Sequence, residues 1–176
     1  QHGLPPAAAA GQGGLLLSRG VDRETHWDLF RRRLALLKEL GVPLLVIAAD
    51  FPREVVAEDY LRAVASLREA ADLAGRFGVR LALEFQKNSG FCASLETALA
   101  IVAQCGSPNA GICLDLFHYS TGPSKHEDLG GLSAENLAWV QIADVSGTPR
   151  ELAGDSDRIL PGEGDFLIEP ILDHLG

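Results

Sequence analysis

The sequence predicts an α/β fold built on a parallel sheet, and two observations support that prediction. Short apolar runs recur along the chain and end near polar or charged residues, as strands buried on both faces do. Amphipathic segments of helical period separate these runs, so that strands and helices alternate with a repeat of roughly thirty residues. This order is typical of either a β/α barrel or a doubly wound layer.

Four runs rich in Leu, Val and Ile are predicted as strands because they are too short for helices. They are "PLLVIAAD" (43–50), "VRLALEF" (79–85), "AGICLDLF" (110–117) and "LAWVQIADV" (137–145). A further short strand is predicted at Ala7–Ala10, inside an opening segment in which Pro and Gly make the pattern weaker.

Helices are predicted between the strands because apolar residues recur there at steps of three and four. Thr25 with Asp28 resembles a capping box for the first helix, and Ser94 is the predicted N-cap of the third. A last helix is predicted to begin after Asp165. The first three helices are each followed by a glycine that predicts their end: Gly41, Gly78 and Gly106.

Composition excludes some classes of function. The formal net charge of −9 and the pI of about 4.9 oppose nucleic-acid binding, which needs Lys and Arg against phosphates. No apolar run reaches the ~18 residues of a membrane span. Cys92, Cys105 and Cys113 form no C-x-x-C motif, so we expect buried, reduced thiols and a cytoplasmic location. The chain contains no Met and stops within a predicted helix, which predicts a fragment of a longer protein.

Three oxygen-bearing side chains lie at or near the ends of successive predicted strands: Glu84, Asp115 and Gln141. In a parallel barrel these strand ends converge on one face, where catalytic groups gather. Two neighbouring buried carboxylates cost several kcal/mol unless positive charge compensates them. A divalent cation does so, and carboxylate and amide oxygens suit Mg²⁺ or Mn²⁺. The alternative is that each side chain caps a neighbouring backbone amide.

Two further residues are candidates for binding substrate. His118 is expected in a loop after Asp115, where imidazole can bind a hydroxyl or carry a proton; the alternative is a histidine bonded to a carboxylate. Arg158 opens the turn "RILPGEGDF" (158–166) and offers a fork for a carboxylate, phosphate or carbonyl; the alternative is a surface arginine.

Other polar residues in these loops receive structural interpretations. Asp144 is expected to support the strand end rather than to bind metal. Lys87, Lys125 and His126 are expected to be solvated loop residues, with Lys125 the one that could contact substrate.

The segments "LALEF", "CLDLFHY", "VQIADV" and "RILPGEGDF", in this order and spacing, resemble the xylose isomerase-like TIM barrels. This group comprises sugar phosphate isomerases and epimerases and also includes type IV abasic-site endonucleases. The resemblance implies a TIM (β/α)8 barrel. Residues 1–176 would then be one incomplete domain, truncated at both ends and holding about the third to seventh strands.

The resemblance also implies roles for the candidate residues. Glu84 matches a metal-binding glutamate that serves epimerases as the proton-transfer base, and Asp115 matches the second ligand. His118 and Arg158 match substrate-binding residues. Gln141 stands where most members have a ligand histidine, which makes the site harder and favours Mg²⁺ or Mn²⁺, with Co²⁺ or Zn²⁺ as alternatives. A fourth ligand, a glutamate, is expected beyond the end of this sequence.

The activity implied is that of a divalent-metal-dependent isomerase or epimerase, which abstracts a proton next to a metal-bound carbonyl of a small sugar or sugar-like substrate. A metal-dependent dehydratase of the inosose or 3-dehydroshikimate type is an alternative, because glutamine at 141 is similar to what dehydratase members use. A non-catalytic sugar-binding barrel is another alternative. The negative charge and scarcity of histidine ligands disfavour a nuclease, and assembly into a homo-oligomer is left open.

Overall fold

A five-stranded parallel sheet forms the centre of the computed structural model, which describes residues 3–52 and 54–175. Its strands lie side by side in chain order: β1 (Ala9–Gln12), β2 (Leu44–Ala48), β3 (Arg80–Glu84), β4 (Ala110–Asp115) and β5 (Leu137–Gln141). All neighbouring strands pair in parallel. A complete TIM barrel has eight such strands, so the described part of the chain is a partial barrel.

Helices connect the strands, as the alternation in the sequence predicts. They are α1 (Gly20–Leu40), α2 (Ala57–Gly75), α3 (Leu95–Cys105), α4 (Leu116–Thr121) and α5 (Ile168–Leu175). Short 3₁₀ turns at His126–Gly131 and Asp155–Asp157 lie in the connections that follow α4 and β5. None of the helices in the described ranges is both long and apolar enough to cross a membrane.

The two faces of the sheet have different partners because side chains alternate along each strand. Residues such as Leu45, Ile47 and Leu83 belong to the main core, which the sheet shares with the helices. The opposite face is narrower, and on it Ala82 and Cys113 pack in a separate apolar cluster. Two residues further along β3 and β4, the same face ends in two carboxylates. The period of the strands therefore aims both acids at the interior of the barrel.

Three of the predicted helix boundaries are confirmed. Gly41 and Gly106 end α1 and α3 in the left-handed region, with φ of 68° and 65°. Ser94 caps α3, since its hydroxyl accepts a hydrogen bond from the backbone N–H of Thr97 at 3.2 Å.

Two predicted boundaries are wrong. Helix α1 begins at Gly20, so Thr25 lies inside it and donates to the carbonyl of Val21 at 2.9 Å instead of capping. Helix α2 ends at Gly75, although Gly78 does adopt a positive φ of 74° in the connection to β3.

Several predicted elements are displaced along the chain. Strand β1 is Ala9–Gln12 rather than Ala7–Ala10, whereas the last helix begins at Ile168, after Asp165 as predicted. Strand β4 ends at Asp115, two residues before the predicted end, because α4 begins at once. Strand β5 ends at Gln141 rather than at Val145, because the chain beyond it forms an isolated antiparallel bridge between Asp144 and Ile159.

All three cysteines are free and buried, as expected. Cys92 and Cys105 lie in the main core, whereas Cys113 belongs to the cluster on the inner face of the sheet.

The cap of α3 gives a first prediction. Ser94→Ala removes the acceptor for the Thr97 N–H and is expected to lower the free energy of unfolding by about 1 kcal/mol. Ser146→Ala, at an exposed position outside any helix, is the control and should change it by less than about 0.5 kcal/mol. Urea denaturation measures both, and equal effects of the two variants would contradict the capping role.

Candidate metal and substrate site

Two carboxylates and an imidazole meet at the carboxyl ends of β3 and β4. Glu84, Asp115 and His118 each offer a ligand atom, and these atoms all lie within 4.8 Å of one another. Glu84 is the last residue of β3 and is half-buried, whereas Asp115 ends β4 and is only 1% exposed. Because the strands are parallel neighbours, their final side chains are brought together without any contribution from loops.

Asp115 also creates the short helix that places the imidazole. Its Oδ1 accepts hydrogen bonds from the backbone N–H of Phe117 at 2.8 Å and of His118 at 3.4 Å, so it is the N-cap of α4. The expectation that His118 lies in a loop is therefore wrong, because it sits in the first turn of a helix. His118 is buried, and its Nδ1 has no hydrogen-bond partner within the described part of the chain.

Gln141 reaches both carboxylates from the end of β5. One end of its amide lies 2.9 Å from Asp115 Oδ2 and 2.8 Å from Glu84 Oε1. With the amide nitrogen at that end, Gln141 donates two hydrogen bonds and satisfies both acids. With the amide oxygen there, three oxygens face one another, which is favourable only around a cation. By rotating its amide, Gln141 can donate hydrogen bonds to the acids when no cation is present and offer an oxygen ligand when one is. The carboxylate and amide oxygens together therefore fit a divalent cation.

Arg158 contacts this cluster from a distant part of the chain. Its Nη1 donates to both oxygens of Asp115, at 3.1 and 3.0 Å. The guanidinium also bonds to Asp155 and lies over the ring of Phe117, with Cζ 4.1 Å from the ring centroid. The structure therefore brings Arg158 to the site as the sequence suggests, as the partner of a buried carboxylate.

Burial and the charges of the site shift the pKa values of two of its groups. Burial, together with the charge of Asp115, raises the pKa of Glu84 to about 7, although Arg158 opposes the shift. Burial lowers the pKa of His118 despite the attraction of Asp115. Positive charge placed between the acids would oppose both the burial and the repulsion that keep the pKa of Glu84 high.

Lys87 differs from its expected role as a solvated residue. Its Nζ donates to the carbonyls of Arg150 at 2.9 Å and Ala153 at 2.7 Å, and it lies 5.2 Å from the centroid of the Phe117 ring. Lys87 therefore ties the connection after β3 to the connection after β5.

Lys125 and His126 are exposed, as predicted, and are not part of the acidic cluster. Sequence reasoning missed Phe117, whose ring lies near two cationic side chains. The signal available was an aromatic residue set between two candidate site residues.

Comparison with known proteins agrees with the partial barrel described above, and the agreement extends along the whole chain. A family model described as "Xylose isomerase-like TIM barrel" matches residues 1–176. A solved structure of the IolI protein with a bound zinc atom superposes with a TM-score of 0.87 at 26% sequence identity, covering 97% of this chain and 64% of that one.

Two curated relatives carry names of activities. Inosose isomerase of Bacillus subtilis (strain 168) is 27% identical over 167 residues, which cover 92% of this chain and 60% of that protein. 3-Dehydroshikimate dehydratase of Pseudomonas putida (strain KT2440) is 26% identical over 158 residues, which cover 85% of this chain and 24% of that protein. The chain thus spans about 60% of the length of the inosose isomerase it matches.

The ion pair at Asp115 gives a second prediction. Arg158→Met leaves a buried carboxylate without its cationic partner and is expected to lower the free energy of unfolding by about 1–3 kcal/mol. Arg150→Met is the matched control, because Arg150 is exposed and, among the described residues, its side chain donates only to the carbonyl of Gly122. The control should cost less than about 0.5 kcal/mol. Denaturant titration of both variants checks this, and an unchanged stability of Arg158→Met would mean that the ion pair has no net effect.

Proposed function

The chain belongs to the xylose isomerase-like TIM barrel family, and on that premise we propose that it forms the active site of a divalent-metal-dependent isomerase or epimerase. Its substrate would be a small sugar or a polyol-derived molecule. The observation that supports this proposal most strongly is the meeting of Glu84, Asp115 and Gln141 around one point, with His118 and Arg158 beside it. The name of the inosose isomerase to which this chain is similar supports the same chemistry.

The metal would be held by Glu84, Asp115 and Gln141. The Nδ1 of His118, which has no hydrogen-bond partner among the described residues, would be a further donor. Hard oxygen ligands favour Mg²⁺ or Mn²⁺, and Co²⁺ or Zn²⁺ are alternatives because the related IolI structure contains zinc. When bound, a divalent cation supplies Lewis acidity that polarises a substrate carbonyl.

The residues of the chain would carry the proton and hold the substrate. Glu84 is the proposed base: its carboxylate takes a proton from the carbon next to the carbonyl and returns it to another carbon or to the opposite face. Gln86 donates to Glu84 Oε2 at 2.5 Å and so fixes the orientation of that carboxylate. His118 and Arg158 would bind substrate oxygens, since both are held beside the acids by α4 and by Asp115.

Dehydration is the second candidate, and one feature of the sequence favours it. The family resemblance implies that glutamine at 141 is similar to what dehydratase members use, and the relative from Pseudomonas putida is named a dehydratase. The first step would be the same proton removal by Glu84. The proton held by Glu84 would then pass to a neighbouring hydroxyl, which leaves as water while the carbanion's electron pair forms a carbon–carbon double bond. Product analysis separates the two reactions, because only dehydration lowers the mass of the substrate by that of a water molecule.

Replacement of the proposed base tests catalysis directly. Glu84→Gln keeps the shape of the side chain but cannot accept a proton, so turnover should fall by about 10²–10⁴-fold. Glu163→Gln, at an exposed position of the segment 158–166, should retain turnover. Inosose and 3-dehydroshikimate are the first substrates to assay, in deuterated water with NMR and mass detection. A Glu84→Gln variant that turns over as fast as the wild type would refute the role of this residue, and substrate binding without turnover in the wild type would favour the sugar-binding alternative.

Metal binding can be tested without an activity assay. Mn²⁺ at a hundredfold excess over its Kd should stabilise the fold by about 2.7 kcal/mol, seen as a rise in Tm. Gln141→Leu removes a ligand, and Glu84→Gln replaces a charged ligand with a weaker neutral amide. Both leave the Asp115 cap of α4 intact, and both should reduce this rise. Asp165→Asn, which changes an exposed carboxylate outside the cluster, is the control. Equal rises in all four proteins would place the bound metal elsewhere.

A further inference from the structure

Asp144 is a buried acid that the proposed chemistry does not use. It lies three residues after β5, is 1% exposed, and forms no salt bridge with any described residue. Its carboxylate instead accepts backbone N–H groups: Val145 at 2.9 Å, Gly162 at 3.1 Å and Phe166 at 3.0 Å. Two of the three donors belong to the segment 158–166, which we call the arginine loop.

The main chain of Asp144 holds the same loop at its beginning. Its N–H donates to the carbonyl of Ile159 at 3.1 Å, and its carbonyl accepts from the N–H of Ile159 at 2.9 Å. Asp165 N–H donates to the carbonyl of Val145 at 2.9 Å near the other end. One residue and its neighbour thus fix the arginine loop directly after Arg158 and again at its last residues.

Gly164 allows this close approach. A Cβ at this position would collide with Asp144 Oδ1 and would lie 2.5 Å from the carbonyl oxygen of Val145. The loop can therefore wrap around the carboxylate only because residue 164 has no side chain. Burial alone would raise the pKa of Asp144, but hydrogen bonds from backbone N–H groups outweigh it and hold that pKa below its ordinary value. The carboxylate is thus ionised at neutral pH and keeps its full acceptor strength.

The loop in turn determines where the guanidinium of Arg158 lies. Ile159, the residue bridged to Asp144, follows Arg158 directly, so a shift of this bridge shifts the start of the arginine side chain. Phe166 at the far end of the loop packs on a cluster that contains Phe117, whose ring lies under the guanidinium. Both ends of the arginine loop therefore bear on the contact between Arg158 and Asp115.

We propose that Asp144 is a positioning residue, which folds the arginine loop around its carboxylate and thereby keeps Arg158 beside Asp115, facing the substrate. The substrate-facing part rests on the function proposed above, whereas the anchoring of the loop does not. Asp144 acts through Arg158 and does not itself touch the reacting atoms.

Trypsin provides a test that needs no activity, because it cleaves after arginine when the chain can leave its fold locally. In the full-length protein, Asp144→Asn should be cut after Arg158 at least tenfold faster than the wild type, as followed by mass spectrometry. Gly164→Ala is the second variant: it displaces the loop while keeping the carboxylate, and it should give the same result. Asp165→Asn is the control, since Asp165 is exposed and, within residues 3–52 and 54–175, its carboxylate accepts only the N–H of Gly147, which an asparagine can still accept. Cleavage of both test variants at the wild-type rate, well below their Tm, would overturn the anchoring role.

A double-mutant cycle tests the route through Arg158. Asp144→Asn and Arg158→Met should each raise KM, and the double variant should match Arg158→Met within about twofold, because the effects of coupled residues do not add. Effects that multiply would show that Asp144 acts independently of Arg158 and would overturn the proposal. A wild-type protein without turnover would refute the proposed function alone, since the trypsin result would still decide whether Asp144 anchors the loop.

Discussion

Glu84 and Asp115 lie side by side at the carboxyl ends of two parallel strands, where they repel each other and lose hydration. Contacts from three other elements offset this cost. The amide of Gln141 faces both acids, the guanidinium of Arg158 pairs with Asp115, and the first turn of α4 directs backbone N–H groups at the same carboxylate. Each contact comes from a different element. The two acids thus contact three elements: the end of β5, the start of α4 and the arginine loop. A cation between the acids would neutralise the remaining negative charge.

The alternation of strands and helices could be predicted because each strand is a short apolar run, whereas apolar residues recur in each helix at steps of three and four. Boundaries were predicted less well, for local reasons. The run "AGICLDLF" stays apolar beyond Asp115, so its pattern does not reveal that the Asp115 side chain caps a helix there. Thr25 and Asp28 have the spacing of a cap, yet α1 already begins five residues before Thr25. Ser94 was predicted correctly because an apolar helical pattern follows it directly.

The side chains at the strand ends of the site could be predicted from the sequence, whereas the contacts made by its loops could not. Glu84, Asp115 and Gln141 end neighbouring parallel strands, so their meeting follows from topology and from the two-residue period alone. The bond between Arg158 and Asp115 spans 43 residues, and the bonds of Lys87 to the connection after β5 span 63 and 66. These contacts join side chains to loops whose paths no local pattern describes. The turn 158–166 and the family resemblance both indicate Arg158 as a site residue, but neither predicts its bond to Asp115.

The loops over the site form one connected unit, although they follow three different strands. Lys87, after β3, donates to carbonyls after β5, and Arg150, after β5, donates to the carbonyl of Gly122, after α4. Phe117 packs with residues from the same region and lies near two cations. Lys87 and Arg150 thus bind backbone carbonyls rather than carboxylates. A chain of net charge −9 can in this way hold these loops in place without adding further acidic residues. Arg158 differs because its cation is aimed at a carboxylate of the site, so the position of its loop bears directly on the chemistry and requires an anchor of its own.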